Sequence, residues 1–519
     1  MILDISSENP EVEHANPSAG MTTKVVKGSL WTLAGQLAPL GFSFIATPFT
    51  VRLLGSEAYG VVVLITVVSS YLSFADLGMG VASTKFGAEA YGEGNREKEG
   101  EVVRTAALVA LMGSLIVAIS MFVLSPLLAI ELNVPEKFQA AASIGLKIAS
   151  ATFVLSVLAT VVNTPMLARL RMDWNSISTT IPKILLIGLT PIVLYFGGGI
   201  VGVASTGFFV AVIGIAITLL LSGRLLPELY RLSINRTLLR PMLKLGLSWV
   251  VAVVAAVLLV NFDKLVLARM TSVRSLAYYS VAFTFAGATT LFSSAMAQSL
   301  VPAFSRLLPE EKKHEFDNLF VRGVRLNLVC LLPGLMVLVV IARPFLTLWA
   351  GEEFGAESTI PFYILVFGSL FSVLAYVPNA ALVARGRTDA LAKAYWIELF
   401  FFAVAVLVLT KLFGIVGAAS AWSLRAVLDT FLNIWLANRS AGVSLRFFDH
   451  LPGLVTGGVV LIPAVIFALF YDNFSPWILL LTPVCLSLYS ILIWKNFVES
   501  AERTWIKMRV AHFLNLALD

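Results

Sequence analysis

Ala168-Arg169-Leu170-Arg171-Met172-Asp173 returns as Ala384-Arg385-Gly386-Arg387-Thr388-Asp389, with Ala, both Arg and Asp at the same spacing, 384 − 168 = 216 residues on. Other landmarks keep nearly the same offset. Trp31 pairs with Trp249, Tyr59 with Tyr278, Phe86 with Phe304, and Val103-Arg104 with Val321-Arg322. Gly199-Ile200-Val201-Gly202-x-Ala204-Ser205 likewise returns as Gly414-Ile415-Val416-Gly417-x-Ala419-Ser420. An offset this steady is the mark of a duplicated half. Within a membrane, duplicated halves are the usual architecture of secondary transporters.

Composition places the repeat in a bilayer. Of 519 residues, 58% are hydrophobic and 13% charged, and the mean hydropathy of +0.89 lies far outside the soluble range. From Ser29 onward, apolar segments long enough to span about 30 Å of hydrocarbon follow one another, about fourteen in all. Sorting Lys and Arg between alternate loops puts 28 on the side of the N-terminus and seven on the other, with Lys147 and Arg425 inside spans. By the positive-inside rule both termini are cytoplasmic and the number of crossings is even. The net charge of +6 therefore reports topology, and no nucleic-acid partner is expected.

These patterns predict an all-α polytopic membrane protein of two parallel six-helix repeats and a C-terminal pair. Residues 1–23, acidic and without a basic start, read as a disordered cytoplasmic tail. Residues 24–221 form the N-terminal lobe with helices 1–6, 222–246 a basic cytoplasmic linker, and 247–437 the C-terminal lobe with helices 7–12. Helices 13–14 fall in 438–494, and 495–519 reads as an amphipathic helix on the cytoplasmic surface, in contact with membrane lipids.

Much chemistry is excluded. The four histidines lie in tails or loops and the two cysteines, Cys330 and Cys485, in apolar segments, so a metal site is not expected. No phosphate-binding loop, paired carboxylates or nucleophile motif has supporting context. Neither catalytic residues nor a cofactor are expected, and the pattern fits a mover of molecules, not an enzyme.

The first hairpin carries the most specific local pattern: Leu54-Gly55-Ser56-Glu57-Ala58-Tyr59-Gly60, then Asp76-Leu77-Gly78-Met79-Gly80 and Lys85-Phe86. In this order it resembles the polysaccharide-exporter (Wzx-type) flippases of the multidrug/oligosaccharidyl-lipid/polysaccharide exporter superfamily. Asn261-Phe262-Asp263, Tyr278-Tyr279, Pro302 before Ser305-Arg306, and Arg385-Gly386-Arg387 are similar to that family too, and the resemblance covers roughly residues 24–495. It implies a V-shaped, two-lobed transporter in the bacterial cytoplasmic (inner) membrane. The implied cargo is a polyprenyl-pyrophosphate-linked oligosaccharide, flipped to the outer leaflet by alternating access for surface polysaccharide biosynthesis. The implied partners are a polysaccharide polymerase and chain-length regulator proteins. Two rivals share the scaffold: a cation-coupled multidrug exporter and a peptidoglycan-precursor lipid flippase.

Ionisable residues inside a span cost at least about 2.5 kcal/mol, so each is a functional candidate. Lys147, Arg425, Arg52 and Lys183 are candidates for binding the cargo in a cavity. For Lys147 the alternative is snorkelling to the external surface, and for Arg52 and Lys183 interfacial anchoring. Arg425 stands four residues before Asp429, on one helix face, and a local neutralising pair is its alternative reading. Asp76, Asp263, Asp429 and Glu398 are candidates for coupling or gating. Against that stand, for Asp76, bonds to backbone freed beside Gly78 and Gly80; for Asp263, an interfacial pair with Lys264; and for Glu398, snorkelling to the cytoplasmic boundary.

Overall fold

The computed structural model describes residues 17–231, 235–443, 459–470 and 476–496, and Arg503. Residues 1–16 of the expected N-terminal tail, 444–458 and 471–475 of the expected last pair of crossings, and all but Arg503 of the amphipathic tail from 497 onward lie outside the described residues. Every regular element among those described is helical. In the first half these are α1 (Pro17–Ser70), α2 (Met79–Gly92), α3 (Arg96–Glu131), α4 (Glu136–Val162), α5 (Thr164–Ala168), α6 (Met172–Tyr195) and α7 (Gly199–Leu225). There follow α8 (Arg236–Met270), α9 (Val273–Ala288), α10 (Thr290–Ser305), α11 (Lys313–Ala350), α12 (Glu352–Glu357), α13 (Thr359–Ala384) and α14 (Thr388–Ala441), then Ile462–Phe470 and Pro476–Asn496. α1 begins at Pro17, inside the stretch expected to be a tail; proline suits a first helical turn because its missing N–H has no partner there.

Nine of these helices are long and apolar enough to cross a membrane, or ten when α9 and α10, bent by 43° at Thr289, count as one crossing. The chain is a multi-pass membrane protein. Two of the elements are much longer than the rest. α1 and α14 each run for 54 residues, about 80 Å at 1.5 Å per residue, and each is interrupted part-way by a glycine outside helical geometry, Gly55 (φ 73°) and Gly414 (φ 56°). The chain forms two compact units, Met1–Val254 and Ala255–Asp519, dividing within α8.

α3 turns its large apolar side chains outward and its small ones inward, the reverse of a helix in a soluble bundle. On α3, Ile116, Ile119, Phe122, Val123 and Leu127 are exposed while Ala106, Ala110, Ser114, Ala118 and Ser125 are buried. Lipid solvates the outer row as well as protein would, so helices associate through small residues and hydrogen bonds. Ser125 and Ser143 bond across α3 and α4 at 3.1 Å, and Ser222 Oγ donates to the Val162 carbonyl at 2.6 Å. In the second unit, Ser423 Oγ donates to the Ile364 carbonyl at 2.7 Å and Thr430 Oγ1 to that of Phe371 at 2.6 Å, knitting α13 to α14.

The duplicated hexapeptides fold alike. Leu170 N–H donates to Leu167 O (3.0 Å) and Arg171 N–H to Met166 O (2.9 Å); Gly386 N–H donates to Val383 O (2.9 Å) and Arg387 N–H to Leu382 O (3.0 Å). Each is a helix C-cap closed by a left-handed residue, Leu170 at φ 55° and Gly386 at φ 71°. The second Arg then pairs with the Asp two residues on, Arg171 with Asp173 at 2.9 Å and Arg387 with Asp389 at 3.6 Å. Leu170 is exposed, so its side chain gains little from packing, while the left-handed backbone costs a Cβ-bearing residue about 1 kcal/mol. Leu170→Gly is therefore expected to raise the chain's thermal stability in detergent, and Gly386→Leu to lower it by about 1 kcal/mol. Equal melting temperatures for both variants and the wild type would contradict the shared strain.

Candidate functional site

The second unit buries a charge cluster at the level where α8, α9, α13 and α14 meet. At its α8 end, Asp263 has no exposure and Lys264 little. Tyr279 Oη on α9 donates to Asp263 Oδ2, and Lys264 N–H donates to Oδ1 at 2.8 Å. The Lys264 ammonium sits 3.7 Å from Asp263 Oδ1, donates to the Val260 carbonyl at 2.5 Å and lies 3.9 Å above the Phe283 ring. Each charge here is met by its opposite and by a dipole or ring, the condition for burying ions. Tyr279 makes the cluster possible and was not a candidate from sequence; its signal was the Tyr278-Tyr279 pair opening the helix after Asp263.

On α14, Arg425 Nη1 approaches Glu398 Oε2 at 3.8 Å, and the guanidinium lies 5.6 Å from the Phe402 and Trp422 rings. Glu398, expected near the cytoplasmic boundary, is instead fully buried, because the Arg425 charge lies within reach. Neither of its carboxyl oxygens has a hydrogen-bond donor among the described residues; the Asp429 carboxyl does lie within hydrogen-bonding reach of it. Asp429 Oδ1 accepts from Asn433 Nδ2 at 2.6 Å. Arg425 and Asp429, one turn apart, line a cavity of about 400 Å³ together with Ser372, Tyr376, Asn379 and Tyr395, over an apolar floor from α8. Asn379 Nδ2 donates to Tyr395 Oη at 3.3 Å. The neutral polar members were not singled out from sequence, where an isolated Tyr or Asn in an apolar run carries no signature.

The other candidates lie apart. Lys147 on α4 points to α3, its ammonium 5.3 Å above the Phe122 ring. Arg52 and Lys183 are exposed. Asp76 closes a break in the first unit: its Oδ1 accepts from Gly78 N–H at 2.8 Å and its Oδ2 from Gly80 N–H at 3.4 Å, where Leu77 and Gly78 are both left-handed. A Cβ on Gly78 would stand 2.3 Å from the Gly246 carbonyl oxygen, so α8 meets this break backbone to backbone. The first unit has its own cavity, about 270 Å³, whose polar wall is Thr66, Ser69, Thr152 and Ser156. All four hydroxyls donate to carbonyls of their own helices.

The first Arg of the duplicated loop turns inward. Arg169 makes a two-pronged contact with fully buried Glu99 on α3 and lies 4.6 Å over the Tyr91 ring. Arg385, its counterpart, lies 5.0 Å over the Phe316 ring. Thus half of the Arg-x-Arg-x-Asp pattern anchors a loop in its unit while the other half is solvated.

A model of the family described as "Polysaccharide biosynthesis protein" matches residues 25–308, more than half of the chain. The chain belongs to this family. It is the polysaccharide-exporter group that the first hairpin resembles, and a model of the MatE family also matches this family member over residues 249–410. A Shigella flexneri protein described as "Putative O-antigen transporter" is 21% identical over 423 residues, which are 81% of this chain and 99% of that one. Two solved structures share the fold. An inward-facing multidrug resistance MATE family transporter aligns with a TM-score of 0.67 at 14% identity, over 80% of this chain and 94% of its own. The lipid II flippase MurJ aligns with a TM-score of 0.66 at 16% identity, over 88% and 97%.

Removing one partner of a buried pair strands the other. Asp263→Ala in this polysaccharide-exporter family member is expected to cost about 3–5 kcal/mol, read as loss of folded chain after detergent extraction and heating. Asp263→Ala with Lys264→Met is expected to recover most of it, and equal losses in the single and double variants would show that the pair does not carry the burial.

Proposed function

We propose that the chain is a flippase that moves a polyprenyl-pyrophosphate-linked oligosaccharide from the cytoplasmic to the outer leaflet for surface polysaccharide biosynthesis. The observation that carries this reading is the match to the Shigella transporter along 99% of that protein's length, within a family whose description is polysaccharide biosynthesis. The MATE and MurJ likenesses are of fold alone and bring neither rival cargo with them.

In this reading the chain has six, six and two crossings, its halves are parallel repeats, and both termini face the cytoplasm of a bacterial inner membrane. Breaks at the same places in both halves support the repeat: Leu170 with Gly386, Asn133 with Gly351, and Gly199 with Gly414 all have positive φ at offsets of 215 to 218. So do the bonds between outer loops, Glu57 with Lys137 (2.5 Å) and Arg274 with Glu353 (3.6 Å), at corresponding positions with their charges exchanged. A polysaccharide polymerase and a chain-length regulator would work beside it on the delivered glycan.

The cargo's chemistry explains the sparse cavity charges. Sugars are met by hydroxyls and amides, the diphosphate by a cation, and the prenyl tail stays in lipid. Arg425 is the cation best placed for this, lining a cavity with Tyr376, Asn379 and Tyr395; Lys147, Arg52 and Lys183 remain weaker candidates on the geometry above. Moving a charge across 100 mV is worth about 2.3 kcal/mol, so an anionic cargo leaving a negative interior is helped by the membrane potential. Asp76, Asp263, Asp429 and Glu398 are the carboxyls available for ion coupling, and of these Glu398 and Asp429 adjoin the cavity.

Deleting the gene is expected to trap intact lipid-linked repeat units on the cytoplasmic face and abolish the surface glycan, with both restored by the wild-type gene. Leaflet-specific labelling and mass spectrometry of the extracted lipids read this directly. Unchanged lipid-linked glycans would overturn the reading.

A further inference from the structure

The cavity of the second unit brings together three facts that its cargo alone does not explain. Arg425 faces an open space large enough for a diphosphate, yet its guanidinium is turned to Glu398. Glu398 is fully buried and both its oxygens lack donors among the described residues. A second carboxyl, Asp429, lies within hydrogen-bonding reach of Glu398 and also lines the cavity. Two neighbouring ionised carboxylates repel each other, whereas a proton shared between them removes that repulsion and lets one donate to the other.

We infer that Arg425 is a diphosphate-binding residue held off by Glu398, and that proton uptake by the Glu398–Asp429 pair frees it for the cargo. The identity of the anion rests on the flippase reading. The electrostatic count decides the order of events. With both carboxylates ionised, Arg425 leaves the trio with one net negative charge, and the cavity repels an anion. One proton makes the trio neutral, and two give it a positive charge. A dianion entering a buried site therefore requires protons to enter with it, or Arg425 stays with its internal anion.

The remaining groups around Arg425 do not supply that switch. From α8, Asp263 and Lys264 neutralise each other, and from α9 the Tyr279 hydroxyl is committed to Asp263. From α13 come Tyr376, Asn379 and Ser372, and from α14 Tyr395 beside Asn379. All of these are neutral or self-compensated. Glu398 and Asp429 are the groups whose protonation changes the charge that a ligand at Arg425 meets.

The test uses the purified full chain in detergent and P1,P2-dimethyl diphosphate, a diester whose own two charges do not change between mildly acidic and mildly alkaline pH. Calorimetric titration is expected to show binding at least about tenfold tighter at the acidic end, with proton uptake that scales with buffer ionisation heat. Glu398→Gln is expected to bind nearly as tightly at alkaline as at acidic pH, and Asp429→Asn, should the first variant fold poorly, to flatten the same profile. Arg425→Gln is expected to bind at neither pH. Wild-type affinity independent of pH, or unchanged binding in Arg425→Gln, would overturn the inference. The gene's ability to restore surface glycan is scored separately in the deletion strain. Rescue by the wild type alongside unchanged diester binding in Arg425→Gln rejects the site and keeps the flippase; absence of rescue rejects the flippase whatever the titration gives.

Discussion

A charge taken into hydrocarbon must bring its compensation with it, and this constraint shapes the interior of both units. Its cost is several kcal/mol per uncompensated ion, and three assemblies among the described residues meet it: Glu99 with Arg169 and Tyr91, Asp263 with Lys264 and Tyr279, and Glu398 with Arg425. The first two assemblies are saturated. Glu99 is gripped by both arms of a guanidinium, and Asp263 accepts from a backbone amide and a phenol besides its ion pair. The third is not, since Arg425 meets Glu398 only at 3.8 Å and part of its surface opens to a cavity. Saturated assemblies hold helices together, and the unsaturated one is where a ligand has something to gain.

Backbone geometry outlasts side-chain identity across the duplicated landmarks. A left-handed turn is kept where one half has Leu170 and the other Gly386. An ion pair between loops recurs with its polarity reversed, Glu57 to Lys137 against Arg274 to Glu353. Either order of charges closes the same contact, because the attraction depends on the product of the charges and their distance, not on which loop carries which sign.

The membrane class and the helical fold were legible because each is a periodic or summed property of many residues. The offset between Arg169-x-Arg171 and Arg385-x-Arg387 could be read off directly, and the geometry of both turns follows it. Site geometry was legible only in part. Charged residues in apolar runs announce themselves, so Asp263, Glu398, Arg425 and Asp429 stood out. Which of them meet did not, since Glu398 and Arg425 lie on either side of the break at Gly414 and pair through the fold. Spacing along one helix suggested Arg425 with Asp429 instead. Among the neutral partners, Asn433 carried no mark in the sequence, and Tyr279, on which the saturation of Asp263 depends, showed only as half of the Tyr278-Tyr279 pair.

The duplicated register also says which charges the fold does not need. At the offset of the matched Gly199 and Gly414 segments, Arg425 corresponds to Val210 and Asp429 to Gly214, and at the offset of the Arg-x-Arg loops Glu398 corresponds to Pro182. In the first unit these positions meet as well: a Cβ on Gly214 would lie 3.2 Å from the Pro182 ring, and Val210 is buried. One half thus closes this helix contact with a glycine against a proline, by van der Waals packing and with no ion to desolvate. The other half places two carboxyls and a guanidinium there, at a desolvation cost that packing alone would avoid. Since the same contact closes without charge 215 residues earlier, stability does not account for the trio. What the charged version adds is a site whose net charge changes with protonation, facing a cavity that the neutral version cannot make attractive to an anion.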